Sequence, residues 1–141
     1  MSNNFLHETL TVEEARQISP LNLAFIGDGV YELYIRDYIL KNHKKMSAHK
    51  LHLNAISYVK ASAQSNIIKT LEDYLTEEEL GIYKRGRNAK SPTVPKNADV
   101  REYRNATGLE ALVGFLYLTD QKERLEELIC KMIENKQSDI K

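Results

Sequence analysis

Tryptophan is absent, cysteine occurs once, at Cys130, and proline three times in 141 residues. One cysteine excludes an internal disulfide framework and a cysteine-based structural zinc site, and it fits a reducing compartment. No apolar run approaches the ~20 residues of a membrane span. The stretch from Met1 to Glu8 has no basic start followed by apolar residues, so no secretory signal is read there. A phosphate-binding glycine loop and a Gly-x-Ser-x-Gly element are both missing. What is present is one domain's worth of chain, 42% hydrophobic and able to bury a real core, expected in the cytoplasm.

Net charge is lacking too, since 20 Lys and Arg balance 20 Asp and Glu. Taken as a sum, that balance argues against a nucleic-acid partner; placed along the chain, the charges do not. Lys41 to Lys69 holds six lysines, three histidines and no carboxylate. Lys84 to Ala98 holds five more cations and again no carboxylate. The acids gather at Glu72 to Glu79 and Asp120 to Asp139. Segregated basic blocks are the electrostatic footprint of a phosphate partner, although a lysine run is also how a solvated helix face looks.

The chain reads as helices throughout. Capping-box spacing occurs at Thr11 with Glu14, Thr76 with Glu79, Asp99 with Glu102 and Asp120 with Glu123. Ser19-Pro20 supplies a capping hydroxyl and then a proline where its missing N–H costs nothing, and Ser47 is a weaker start. Helices are expected near 12–18, 20–42, 47–55, 58–73, 77–87, 100–118 and 121–135. Apolar residues at three- and four-residue steps support them: Leu23, Ile26, Val30, Leu33 and Tyr34, then Leu109, Leu112, Val113 and Leu116. No segment shows a convincing period of two. Pro92 and Pro95 exclude a regular helix over 88–97, a basic loop long enough to suggest a function.

Two carboxylates stand where they are expensive. Asp28 lies between two glycines in an apolar stretch, and glycine in a helix costs ~1 kcal/mol relative to alanine. Such glycines permit close approach of another backbone or a ligand. Ala24, Asp28 and Glu32 share one helix face, and so do Ala106, Glu110 and Gly114. Two such helices could cross closely and bring Asp28 to Glu110. Bare carboxylates that near repel each other, and a cation between them is the physical remedy. Oxygen ligands suit Mg²⁺, with Mn²⁺ as a substitute. Glu32, one turn from Asp28, is a further candidate ligand by spacing alone. The plain alternative is that each acid pairs with an arginine or caps a backbone group. His43, His49 and His52 sit among lysines and read as phosphate contacts or exposed residues rather than metal ligands. Cys130, beside apolar helix residues, reads as a small core or surface residue.

Three segments, in order, carry a resemblance: Leu23–Glu32 (LAFIGDGVYE), Lys84–Ser91 (KRGRNAKS) and Tyr103–Gly114 (YRNATGLEALVG). Together they resemble the Mini-ribonuclease III family, the short branch of the ribonuclease III superfamily, over roughly residues 19–128. The resemblance implies an all-α ribonuclease III endonuclease fold of about seven helices, acting as a homodimer. It implies Mg²⁺-dependent hydrolysis of double-stranded RNA to 5′-phosphate and 3′-hydroxyl ends, and maturation of the 23S ribosomal RNA precursor. The family's catalytic aspartate falls on Asp28 and its later metal-binding glutamate on Glu110. Full-length ribonuclease III carries further acids where this chain has Ala24 and Thr107, so the usual four-carboxylate cage is reduced. No separate double-stranded-RNA-binding domain is read in residues 1–141, so the catalytic domain is expected to hold the RNA itself.

Candidate RNA-binding residues are Lys84, Arg85, Arg87, Lys90, Lys96 and Arg104, with Lys44, Lys45 and Lys50 as further candidates. A-form RNA has a narrow major groove, so recognition would rest on shape, 2′-hydroxyls and phosphates. The competing readings are a catalytically weak module that binds structured RNA and a phosphohydrolase of small nucleotides. Extended basic blocks speak against the second, since a small substrate needs few cations.

Overall fold

A computed structural model describes Leu6, residues 8–90 and residues 94–139. Among these residues there are helices and no strand. The elements are α1 (Val12–Arg16), α2 (Pro20–Asn42), α3 (Ala48–Val59), α4 (Ala61–Leu71), α5 (Glu77–Asn88), α6 (Val100–Leu118) and α7 (Lys122–Asp139), with a 3₁₀ turn at Glu72–Tyr74.

The starts follow local chemistry. Thr11 and Thr76 make complete capping boxes with Glu14 and Glu79. Asp99 accepts from the Glu102 N–H at 3.1 Å, without the reciprocal bond, and Ser47 caps through Lys50. Pro20 opens α2 as expected, but the Ser19 hydroxyl makes no cap bond.

Two expectations are corrected. The expected gap between helices at 55–58 lies instead at Lys60, which is extended (φ −65°, ψ 152°) and ends α3 while starting α4. No proline or glycine marks that break. Asp120 does not cap α7 by the expected box. It takes a left-handed conformation (φ 54°) as the residue just past α6. There the Gln121 N–H donates to Leu116 O at 2.9 Å and the Asp120 N–H to Tyr117 O at 3.1 Å. This is a Schellman motif with aspartate in the place glycine usually holds.

Helix α6 is the axis of the fold, packed by α2, α4, α5 and α7. From Asn105 to Leu116 every residue is buried except Glu110, which is half-buried. A helix that is apolar all round is a core helix. Burial of Leu109, Leu112, Phe115 and Leu116 stabilises the fold by roughly 1.5–3 kcal/mol each. Against α6, α2 buries Leu23, Gly27, Tyr31, Ile35 and Ile39. That stripe is rotated from the expected one, and Leu33 is exposed. Arg124 ties α7 to the start of α5 by bonding both oxygens of buried Glu79 at 2.8 Å.

Candidate active site

The site begins with the crossing of α2 and α6. A Cβ on Gly27 would lie 1.7 Å from the Glu110 carbonyl oxygen, and one on Gly114 would lie 2.0 Å from the Leu23 carbonyl oxygen. The two backbones therefore touch, and no larger residue fits at either position. Gly29, on the other side of Asp28, has nothing within 4 Å. Only one of the two flanking glycines is required by the crossing.

This crossing brings Asp28 and Glu110 into hydrogen-bonding contact. Asp28 is exposed, while Glu110 rises from the buried face of α6. Burial pushes the Glu110 carboxyl up to about 9, and the bond and charge of Asp28 add to it. The Gln64 side-chain amide beside Glu110 pulls the other way. Neither acid is in an ion pair among the described residues. The plain alternative of an arginine partner therefore does not hold for either. Two convergent carboxyls, one of them half-buried and with its pKa raised by that burial, are an all-oxygen donor set that a divalent cation fits.

The surroundings are sparse in further acids. Glu32 is not drawn to the pair: its Oε1 lies 2.8 Å from Arg36 Nη2, one turn along α2. Ala24 is buried, and the Thr107 hydroxyl donates to the Tyr103 carbonyl at 3.0 Å. Among the described residues no three His, Cys, Asp or Glu side chains converge as a metal cluster, which also covers His43, His49 and His52. Beneath the pair are two polar groups that sequence spacing did not single out. Tyr31 and Gln64 are 1% and 2% exposed, and among the described residues the Tyr31 hydroxyl and Gln64 Oε1 have no hydrogen-bond partner.

Asp28 also lines a groove of about 970 Å³ with Phe25, Gly29, Leu33, Tyr34 and Tyr117. Phe25 is 81% exposed and Leu33 68%.

The basic residues form a second layer. Arg16, Arg36, Lys41 and Arg124 are paired with acids. Lys44, Lys45, Lys50, Lys84, Arg85, Arg87, Lys90, Lys96 and Arg104 are in no ion pair among the described residues. Lys44, Lys45 and Lys50 line one cavity of about 660 Å³ at the α2–α3 junction. Arg87 and Arg104 line another of about 380 Å³, together with Arg101, which sequence reading passed over. Arg87 also stacks on the Tyr83 ring at 5.7 Å, and Arg85 donates to the Arg16 carbonyl at 3.2 Å. Of the loop at 88–97, residues 91–93 lie outside the described residues.

Comparison with known proteins agrees with this geometry. The ribonuclease III domain family matches residues 21–121. A Mini-ribonuclease 3 from Clostridium tetani is 48% identical over 94% of this chain and 88% of its own. One from Enterococcus faecalis is 51% identical over 84% of this chain and 90% of its own. This chain belongs to the Mini-ribonuclease III family. As a member, it is an endoribonuclease. A crystal structure of a Fusobacterium nucleatum protein shares the fold, with TM-score 0.76 and 38% identity over 85% of this chain and 95% of that one. The family resemblance read from the three sequence segments, and the all-helical fold it implied, are therefore borne out. Within the family match, α2 and α6 bring Asp28 and Glu110 together, and α5 carries three of the unpaired cations, Lys84, Arg85 and Arg87.

Proposed function

We propose that this chain cuts double-stranded RNA hydrolytically with Mg²⁺, leaving 5′-phosphate and 3′-hydroxyl ends. The observation that carries the proposal is the contact between Asp28 and Glu110, two acids with no cationic partner among the described residues. Both are assigned as metal-holding and catalytic residues. Mg²⁺, or Mn²⁺ in its place, would supply a Lewis acid for the phosphate and a more acidic water at neutral pH. Asp28, being exposed, faces the substrate side, and half-buried Glu110 anchors the site to the core. Glu110 must release its proton to serve as a ligand. Close packing of α2 on α6 fixes the distance between the two carboxyls, so little reorganisation accompanies binding. No protein nucleophile is invoked.

The unpaired cations would hold RNA phosphates: Lys84, Arg85, Arg87, Lys90, Lys96 and Arg104, with Lys44, Lys45 and Lys50 at the second cavity. A single domain is thus proposed to hold the RNA as well as cut it. The basic segment at 88–97 is proposed to touch a groove of the duplex and favour some sites over others. Trimming it should weaken binding or relax site choice, and an unchanged cleavage pattern would count against that role. The substrate in the cell is proposed to be the 23S ribosomal RNA precursor, in the cytoplasm. No described helix is long and apolar enough to cross a membrane.

The working unit is proposed to be a homodimer, with the exposed apolar side chains of Phe25 and Leu33 at the contact face. Phe25→Glu should then sediment as a monomer, and an unchanged dimer would exclude this face.

A second reading is a catalytically weak module that binds structured RNA. The small number of converging acids favours it. One assay separates the two. Duplex RNA, single-stranded RNA, duplex DNA and a nucleotide mixture are incubated with the protein, with Mg²⁺ or with chelator. Mg²⁺-dependent cutting confined to duplex RNA supports the main reading. Tight RNA binding without cutting supports the module, and hydrolysis of free nucleotides would overturn both.

A further inference from the structure

We infer that Gln64 is a positioning residue for Glu110, an inference that rests on the reading of Asp28 and Glu110 as a metal-holding pair. Gln64 lies on α4, one of the helices packed on α6, and is 2% exposed. Its Nε2 donates to the Val59 carbonyl at 2.7 Å, and the same side chain lies beside the Glu110 carboxyl. A backbone carbonyl can only accept, so the amide nitrogen must face Val59 and the orientation of the amide is fixed.

The anchor comes from the break between α3 and α4. Because Lys60 is extended, α3 stops at Val59 and leaves the Val59 carbonyl without a partner in its own helix. Gln64 satisfies that carbonyl and spans from it to Glu110. The reach of the side chain thus ties the end of one helix to the acid on another.

Core filling does not explain the residue. Leucine or methionine would fill the space without burying an amide oxygen that, like Gln64 Oε1, has no partner among the described residues. A neutral donor is the side-chain type that orients a carboxylate here without upsetting the charge. A third acid would add repulsion to two that already share a site. A lysine would neutralise the pair and compete with the metal. Groups of this kind, one step behind a ligand, commonly carry 10–100-fold in metal affinity.

The test uses the full chain and reads Mn²⁺ binding by calorimetry beside duplex-RNA cleavage. Gln64→Met keeps the size and removes the donor. It should weaken Mn²⁺ binding about tenfold and lower kcat while leaving KM for RNA unchanged. Ser65→Ala is the structural control. It removes a neighbouring buried bond, from Asn105 Nδ2 at 2.9 Å, and touches neither acid. It should lower Tm and leave Mn²⁺ affinity as it is. Equal weakening of Mn²⁺ binding in both variants would reduce Gln64 to a packing role and overturn the inference. Glu110→Gln separates the two levels of the argument. If Glu110→Gln loses Mn²⁺ while Gln64→Met binds it like wild type, the role of Gln64 falls and the site stands. If Glu110→Gln binds Mn²⁺ like wild type, the site reading falls and takes the inference with it. A measurement on the unmutated protein guards against a variant that fails to fold. With glutamine side chains ¹⁵N-labelled, the Gln64 amide resonances should move as Mg²⁺ is added. Resonances that stay put at saturating Mg²⁺ would overturn the inference.

Discussion

The two glycines beside Asp28 should respond to the same substitution with opposite sign. At Gly27 an alanine Cβ would meet the Glu110 carbonyl oxygen at 1.7 Å, whereas ordinary contact begins at 3.4 Å. The obstacle is backbone, pinned in the most buried helix of the fold, so it cannot swing aside. Relief requires α2 and α6 to part, which also opens the distance between Asp28 and Glu110. Overpacking of this kind costs about 3 kcal/mol or more. The gain in helix propensity offsets about 1 kcal/mol of it. Gly27→Ala should therefore lose about 2 kcal/mol or more, a fall of about 6 °C in Tm for a domain this size. At Gly29 a Cβ meets nothing within 4 Å. Gly29→Ala should gain up to about 1 kcal/mol, a rise of about 3 °C. Thermal unfolding followed by circular dichroism reads both, and duplex-RNA cleavage at a temperature where both are folded reads the site. Gly27→Ala should cut poorly even when folded, and Gly29→Ala should cut like wild type. A Gly27→Ala protein as stable as wild type would refute the close crossing. Equal harm from both substitutions would refute the claim that only one glycine is required by packing.

Two more outcomes follow from the charges. In the metal-free protein, Glu110 keeps its proton up to about pH 9, because burial and then Asp28 disfavour its ionised form, whereas in the unfolded chain it ionises near 4.5. Between those values the folded state binds a proton that the unfolded state lacks. Its stability contribution is therefore whole below the ordinary carboxylate range and falls as pH rises, by up to about 1.4 kcal/mol per pH unit, until it levels near pH 9. Urea melts in chelator at pH 6 and pH 8 should show this fall in wild type and a smaller one in Glu110→Gln; equal slopes would disprove it. Separately, Arg87→Ala and Arg104→Ala should each reduce the salt dependence of RNA binding by about 0.9 in log–log slope. Unchanged slopes would place these arginines outside the RNA contact.

Sequence legibility differed between elements for identifiable reasons. Helices α2 and α6 have the bounds that proline, capping and apolar spacing indicate, because those signals act on the helix itself. Asp28 and Glu110 stood out because an acid among glycines and apolar residues is costly wherever it folds. Their contact also requires two backbones to touch, and Gly27 and Gly114 foreshadow that in the sequence. The break at Lys60 could not be seen, since tertiary packing sets it and no residue type announces it. Asp120 misled because aspartate serves both as a helix cap and, less often, in the left-handed position past a helix end. Glu32 has the right spacing from Asp28, but Arg36, one turn further along, takes its carboxylate. Gln64 carries no spacing signal at all. The role inferred for it depends on α4 packing against α6, which is a property of the packed molecule.

The most direct test compares wild type with Glu110→Gln in one experiment. Cleavage of duplex RNA at saturating Mg²⁺, RNA binding and thermal stability are measured on the same two preparations. Glutamine has the shape of the protonated carboxyl, so fold and RNA binding should be kept. It offers no negative charge to a metal, so cleavage should fall by at least about a hundredfold. A Glu110→Gln protein that folds, binds RNA and cuts at the wild-type rate would contradict the assignment of the Asp28–Glu110 pair as the catalytic metal site.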